Sequence, residues 1–117
     1  FGAYSPASGT ALDGTSSVSV YCSVGTAYAL ALNVGTGGGA FTGRKMTSGS
    51  NEVVYNLYTS AARTTVWGDG SGATATVSGS GAGLLTAVPH TVYGRIAINQ
   101  DSAPGSYSST ITVTLTF

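Results

Sequence analysis

The last eight residues carry the clearest structural signal in this sequence. From Thr110 to Phe117, threonine alternates with a large apolar residue without exception. Because successive side chains of a β-strand point to opposite faces of a sheet, this run predicts a strand with one face in a core and the other in water. If such a long, uncharged strand lies at a sheet edge, another element or another chain is expected to cover it, since natural proteins avoid exposing such edges.

Similar but weaker patterns predict the rest of an all-β domain. Short strand-like segments are separated by glycine-rich turns, with no helical pattern between them, which is typical of an antiparallel β-sandwich. Gly94 lies inside one of these segments and predicts a bulge or the close approach of another backbone. A chain of 117 residues suits a single domain, residues 1–117. The predicted strands are residues 18–22, 28–34, 52–59, 64–67, 73–78, 91–98 and 110–117, with a flexible loop at 35–43.

Charged residues are scarce, and their scarcity excludes several functions. Four basic and four acidic residues, 7% of the chain, give a formal net charge of zero. The basic residues are too few and too scattered for the positive stripe that nucleic acid requires, and no long apolar run exists that could insert into a membrane. A neutral surface rich in Ser, Thr and Gly fits either an ordinary extracellular domain or a subunit whose surface is covered in an assembly. Composition leaves both interpretations open.

The residues needed for catalysis or cofactor binding do not form any usual motif. His90 is the only histidine, and the sequence has no Gly-x-Ser-x-Gly turn before a helix. The glycines before Arg44 faintly resemble a phosphate-binding loop, but Arg44 stands where that loop needs lysine. One histidine, one cysteine and four separated carboxylates do not make a convincing metal site. We therefore expect no enzymatic activity, no cofactor and no metal.

Three apolar residues are candidates for contacts at the surface. Trp67 precedes a glycine-rich turn, where an exposed indole would suit stacking on a sugar, although a ring that caps the sandwich core is the more common outcome. Leu84 and Leu85 lie within residues 80–88, which together with residues 35–43 would form the contact loops of an adhesive domain.

Several segments, in order along nearly the whole chain, form a recurring set of motifs. They are residues 1–6 (FGAYSP), 18–23 (VSVYCS), 44–46 (RKM), 55–59 (YNLYT), 62–63 (AR), 66–70 (VWGDG), 92–96 (VYGRI), 105–108 (GSYS) and 111–117 (ITVTLTF). This set resembles the spore coat protein U domain family, which includes the subunits of archaic chaperone–usher pili. The resemblance implies an incomplete immunoglobulin-like β-sandwich that is completed by a donated strand.

The resemblance also implies how such a subunit is exported and assembled. A periplasmic chaperone lends a strand, and an outer-membrane usher then replaces it with the N-terminal extension of a neighbouring subunit, at the cell surface, in an extracellular fibre or in a spore coat. Main-chain hydrogen bonds provide the affinity in this kind of strand addition, and alternate side chains fill pockets. The chaperone would grip the Phe117 carboxylate. The residues expected to form the donor-strand groove are Val18, Val20, Ile111, Val113, Leu115 and Phe117.

The chain departs from the family pattern in one respect, and three functional hypotheses remain. Family members carry a donor segment and another cysteine before the Phe1-Gly2 motif, so the donor segment and the disulfide partner of Cys22 are apparently absent from this chain. The leading hypothesis is a structural subunit of a pilus or spore coat assembled by donor-strand exchange. The alternative is a tip adhesin domain that contacts host or abiotic surfaces. A lectin-like module that binds sugar through Trp67 is the third.

Overall fold

The computed structural model describes residues 1, 4, 11–97, 100 and 103–117, and in these residues it contains β-strands and no helix. None of the described segments is therefore a helix that could cross a membrane. The strands are β1 (Leu12–Val20), β2 (Ala27–Leu32), β3 (Gly39–Ala40), β4 (Gly43–Ser48), β5 (Asn51–Tyr58), β6 (Val77–Ser80), β7 (Val88–Ile96) and β8 (Val113–Thr116).

The strands form two antiparallel sheets. One sheet has the order β1-β7-β5-β4-β3 and the other the order β6-β2-β8. Strand β2 shows why the sheets pack face to face, because Tyr28, Leu30 and Leu32 are buried while the alanines between them are only half-buried. The chain is an immunoglobulin-like β-sandwich, which confirms the predicted fold class.

The core divides into two clusters along a molecule that measures 48 × 26 × 25 Å. The half-buried side chains of Leu57 and Ile111 pack against both clusters and connect them. The first cluster consists of Val20, Tyr28, Leu30, Leu32, Trp67 and Val92. The second consists of Val53, Tyr55 and Ile96.

Trp67 belongs to the first cluster, so its prediction as a surface contact is wrong. Its side chain is fully buried, because backbone hydrogen bonds hold the segment around it between the two sheets. The Trp67 N–H donates to the Leu57 carbonyl at 2.9 Å, and the Leu32 N–H donates to the Gly68 carbonyl at 3.1 Å. The interpretation of Trp67 as a core residue is confirmed.

Several strand boundaries differ from the predicted ones. Strand β7 begins at Val88 and therefore includes Pro89, which is tolerated because β5 pairs with β7 only from Tyr93 onward. Strand β4 was not among the predicted strands, and β1 starts at Leu12 rather than at Val18. The expected strand at residues 91–98 ends at Ile96 in the structure, and residue 98 lies outside the described part.

The prediction of a bulge or a close backbone approach at Gly94 is wrong, because the group that lies close to Gly94 is a side chain. A Cβ atom on Gly94 would lie 2.7 Å from Cζ of Phe1, and one on Gly14 would lie 3.2 Å from Cδ1 of the same ring. The two glycines face each other in an uninterrupted β1–β7 ladder, so no bulge forms there. Phe1 also contacts Tyr55 edge-on, with ring centroids 6.1 Å apart.

Candidate functional site

Strand β8 has one edge without a strand partner among the described residues. Its four residues pair with Ala29–Leu32 of β2, and it is the terminal strand of the three-stranded sheet. Unpaired backbone N–H and C=O groups of an edge strand are a template for another strand. The free edge of β8 is therefore the first element of the candidate site.

The alternating run continues beyond β8, although not as regular strand. The Asn33 side-chain oxygen accepts a 2.9 Å hydrogen bond from the Thr112 N–H, and the Asn33 N–H donates to the Thr112 carbonyl at 3.2 Å. Thr36 exchanges two similar bonds with Thr110. Gly35, with φ +91°, turns the chain between them. Hydrogen bonds to the side chains of Asn33 and Thr36 thus take the place of backbone ladder bonds. For this reason β8 is half as long as the predicted strand.

The six residues predicted to line the donor-strand groove fall into two groups. Val20 is buried in the first cluster, and Val18, Ile111 and Leu115 are half-buried and pack against it. Val113 and Phe117 are 39% and 87% exposed. The first four residues come from both sheets and meet at one core, whereas the last two present apolar surface to solvent.

A cavity of about 70 Å³ opens on the inner face of the five-stranded sheet. It is mostly apolar and is about half the volume of an engineered cavity that binds benzene. Leu57 and Val92 connect the cavity to the first cluster. Its lining residues are Phe1, Gly14, Thr15, Ser16, Leu57, Val92 and Gly94.

Arg44 is a buried cation that sequence analysis missed as a structural residue. Its guanidinium donates to the carbonyls of Asn33 (3.0 Å) and Trp67 (2.6 Å) and to Oδ1 of Asn56 (2.8 Å). Burial lowers the pKa of Arg44, since water no longer solvates its charge. The residue fastens β4 to the end of β2, where Asn33 in turn holds Thr112. Its position among loop-like residues gave no sequence signal for this role.

Ion pairs at the surface join charged side chains of the five-stranded sheet, away from β8. Asp13 of β1 accepts hydrogen bonds from Arg95 at 2.7 and 3.1 Å, and these hold the pKa of its carboxyl below the ordinary value of 3.8. Lys45 pairs with Glu52 at 2.7 Å. No group of three or more possible metal ligands occurs in the part of the chain that the structure describes. None of the side chains of β8 is charged.

Large apolar side chains are exposed together at one end of the sandwich. The loops at residues 21–26 and 81–87 are joined there by hydrogen bonds from Gly25 N–H to the Gly81 carbonyl (3.0 Å) and from Gly83 N–H to the Cys22 carbonyl (2.8 Å). Phe117 follows at the same end, because Thr116 pairs with Ala29 near the start of β2. We name this set the apolar end; it consists of Tyr21, Val24, Leu84, Leu85 and Phe117.

None of the side chains of the apolar end is charged, and Leu85 is 97% exposed. An uncharged group of exposed large hydrophobic side chains is typical of an interaction surface. Cys22, the single cysteine of the chain, lies beside it as a half-buried free thiol. Leu84 and Leu85 are thus exposed where an adhesive contact would need them, whereas Trp67 is not.

Comparison with known proteins gives two findings. A family model for the Spore Coat Protein U domain matches residues 1–114. Protein U of Myxococcus xanthus is 30% identical to this chain over 129 aligned residues, in a match that covers 100% of the chain and 70% of that protein.

Proposed function

The chain belongs to the Spore Coat Protein U domain family, a family of structural coat and pilus domains, and on that premise we propose that it assembles by accepting a β-strand from a neighbouring subunit. Assembly takes place through a chaperone–usher pathway. A periplasmic chaperone first occupies the donor-strand groove, and an outer-membrane usher then exchanges it for the neighbour's strand. The product is a fibre at the cell surface or a spore coat.

The free edge of β8 is the observation that carries this proposal. In strand addition the partner's backbone pairs with unpaired N–H and C=O groups, and its alternate side chains enter pockets. Strand β8 offers such an edge next to half-buried Leu115 and exposed Val113. An incoming strand would cover the apolar surface that these residues leave in contact with water.

The free energy of burying the donated side chains supports the same proposal. If the donated strand buries about four apolar side chains at roughly 1.5–3 kcal/mol each, it contributes ~6–12 kcal/mol before ordering costs. This is similar to the whole net stability of a typical domain, ~5–15 kcal/mol. We expect one such side chain to enter the cavity beside Leu57 and Val92. We therefore expect a subunit that is marginally stable alone and very stable when complemented.

Thermal melting with a synthetic strand tests the proposal. The probe is a peptide of about ten residues in which Val alternates with Thr, and the control has the same composition with its valines contiguous. Stabilisation should grow with peptide concentration and reach about 2.7 kcal/mol at one hundred times the Kd. If neither peptide raises the Tm, or if both raise it equally, strand acceptance is wrong.

The apolar end favours a second candidate function, that of a tip adhesin domain that contacts apolar host or abiotic surfaces. Leu84 and Leu85 lie on a tight turn, closed by a 3.1 Å hydrogen bond from Thr86 N–H to the Gly83 carbonyl, that holds them outward. Contact with an apolar surface would remove these side chains from water without desolvating any charge.

Adsorption of the purified chain separates this function from strand acceptance. Leu84→Ser with Leu85→Ser should reduce adsorption to alkyl-coated glass several-fold and leave stabilisation by the alternating peptide unchanged. Val113→Ser should leave adsorption unchanged and reduce stabilisation by the alternating peptide, because Val113 lies on β8. Equal adsorption by all three proteins would refute the adhesive function.

A further inference from the structure

The rung formed by Gly14 and Gly94 is a weak point in the attachment of β1 to β7. Strand β1 lies at the edge of its sheet, and β7 is its only strand partner among the described residues. Glycine weakens a strand because it lacks a side chain to pack and loses more conformational entropy than other residues. Here two glycines face each other. A contact from outside the ladder would therefore strengthen the attachment of β1 at this rung.

Arg63 supplies that attachment from the outer face. Its Nε–H donates to the Gly94 carbonyl at 3.1 Å, and an Nη2–H donates to the Gly14 carbonyl at 3.4 Å. The guanidinium also lies 3.7 Å from a carboxylate oxygen of Asp13 and 5.6 Å from the centre of the Tyr93 ring. One side chain, only 12% exposed, thus touches both strands at the glycine rung.

The backbone of Arg63 has an unusual conformation. Its φ is +53°, and within the described segments it is the only residue other than glycine with a positive φ. The left-handed region is unfavourable for an arginine, and such backbone strain persists where the surroundings enforce it. A hydrogen bond of 3.0 Å from the Arg63 N–H to the Ser60 carbonyl fixes this turn and aims the side chain at the sheet.

The inner face of the same rung borders the candidate site. The Phe1 ring covers both glycines there, and the cavity next to it is lined by Ser16 of β1 and by Val92 of β7. Farther along β1, Val18 and Val20 reach the first core cluster. Any shift of β1 at the glycine rung would therefore change the shape of the cavity and the position of these two valines.

We infer that Arg63 is a positioning residue, which holds β1 against β7 at the Gly14–Gly94 rung and so keeps one wall of the donor-strand groove in place while the groove is empty. The part of this inference that concerns the groove rests on the proposed function. The attachment of β1 itself does not depend on that function.

Hydrogen exchange of the uncomplemented full chain tests the attachment without any peptide. In Arg63→Gln, backbone amides of β1 near Gly14 should exchange about tenfold or more faster than in the wild type, while amides of β2 keep their rates, because hydrogen bonds to a charged donor are lost at one rung only. Arg63→Lys should restore part of the protection. Arg95→Gln is the matched control, since Arg95 pairs with Asp13 and has no bond to either glycine carbonyl. Unchanged β1 rates in Arg63→Gln, or equal acceleration in Arg95→Gln, would overturn the inference.

Peptide affinity tests the consequence for the groove. The Kd of the alternating peptide should rise about tenfold in Arg63→Gln, at a temperature far below both melting transitions, and should stay unchanged in Arg95→Gln. If the wild type does not bind the peptide, the proposed function fails, while the exchange experiment still decides the role of Arg63. Faster exchange in β1 with an unchanged Kd would show that Arg63 holds the strand without shaping the groove, and would overturn the positioning role. If Arg63→Gln does not fold, Arg63→Lys takes its place in both measurements.

Discussion

The indole N–H of Trp67 donates a 3.0 Å hydrogen bond to the backbone carbonyl of Leu30, and neither side chain is more than 1% exposed. This bond joins the segment that leaves β5 to the middle of β2. It therefore connects the two sheets at the centre of the first core cluster. A sugar could reach the indole only by opening that core, which removes the physical basis for a lectin that binds through Trp67.

Trp67→Phe should destabilise the chain by about 2–4 kcal/mol. The substitution leaves the Leu30 carbonyl without its donor and creates a cavity in the core. Chemical denaturation monitored by circular dichroism measures the loss. The exposed Tyr21→Phe should change stability by less than about 0.5 kcal/mol. A similar small change for Trp67→Phe would contradict the importance of the bond.

Arg44→Met should cost about 2–5 kcal/mol. The thioether side chain fills much of the same space but leaves the oxygens of Asn33, Asn56 and Trp67 without their charged donor. Lys45→Met, at the adjacent and more exposed position, removes only the surface pair with Glu52 and should cost less than about 1 kcal/mol. Equal losses in urea denaturation would show that the buried bonds are not the cause.

Gly94→Ala should destabilise the wild type and be tolerated once the Phe1 ring is removed. The new Cβ would meet Cζ of Phe1 at 2.7 Å, so the ring has to move away. In a Phe1→Ala background that conflict disappears, and alanine is the better strand former. A double-mutant cycle of unfolding free energies should give a coupling of about 0.5–3 kcal/mol. A coupling near zero would mean that the ring does not rest on the glycine pair in solution.

Val113→Asp should abolish stabilisation by the alternating peptide without unfolding the chain. Val113 is already partly exposed, so a carboxylate there costs little in the uncomplemented state, but an added strand would bury it unpaired. Thr114→Asp, at the exposed neighbouring position with the opposite orientation, is the control and should retain peptide binding. Normal peptide binding or normal fibres from Val113→Asp would refute the assignment of this residue to the groove.

Acid should destabilise the chain partly through Asp13. Its pKa is lowered in the folded state by the hydrogen bonds from Arg95, so its contribution is fully present above the ordinary value of 3.8 and is lost as the pH falls through the lower folded pKa. Between about pH 4 and pH 2, the Tm of Asp13→Asn should therefore fall less steeply than that of the wild type.

Asp69 provides the comparison for this pH experiment. The Ser71 hydroxyl lowers the pKa of Asp69 in the same direction, so Asp69→Asn should also flatten the acid limb of the curve. In 1 M salt, the contribution of Asp13 to the fall of the Tm in acid should become smaller, because it comes from an exposed ion pair, whereas the contribution of Asp69 should not change. Parallel acid limbs for the wild type and Asp13→Asn would contradict the lowered pKa.

Regular alternation was the part of this fold that the sequence could predict. Tyr28, Leu30 and Leu32 lie on one buried face of β2, as expected, because their pattern has the period of a strand. Strand β4 could not be predicted in this way, since Arg44 is polar and yet points into the core. Its burial depends on acceptors from three distant segments, which a local pattern cannot reveal.

The candidate site was also only partly predictable. Val18 and Leu115 were expected at one groove, and both do pack against the first core cluster. The short length of β8 depends on side chains of Asn33 and Thr36, more than seventy positions earlier in the sequence. Arg63 donates to the backbone carbonyls of two glycines, and backbone acceptors leave no pattern in the sequence. Its contacts could therefore not be predicted without the structure.

The chain contains one tryptophan, and that residue is the one sealed between the sheets. Its intrinsic fluorescence therefore arises from a single, dry environment and needs no label. A shift of the emission to longer wavelength reports separation of the sheets, and quenching by iodide or acrylamide reports access of solutes to the first core cluster. Because Leu115 of β8 packs against the same cluster as Trp67, the emission reports both on the core and on the strand beside it, in the purified chain and in assembled material alike.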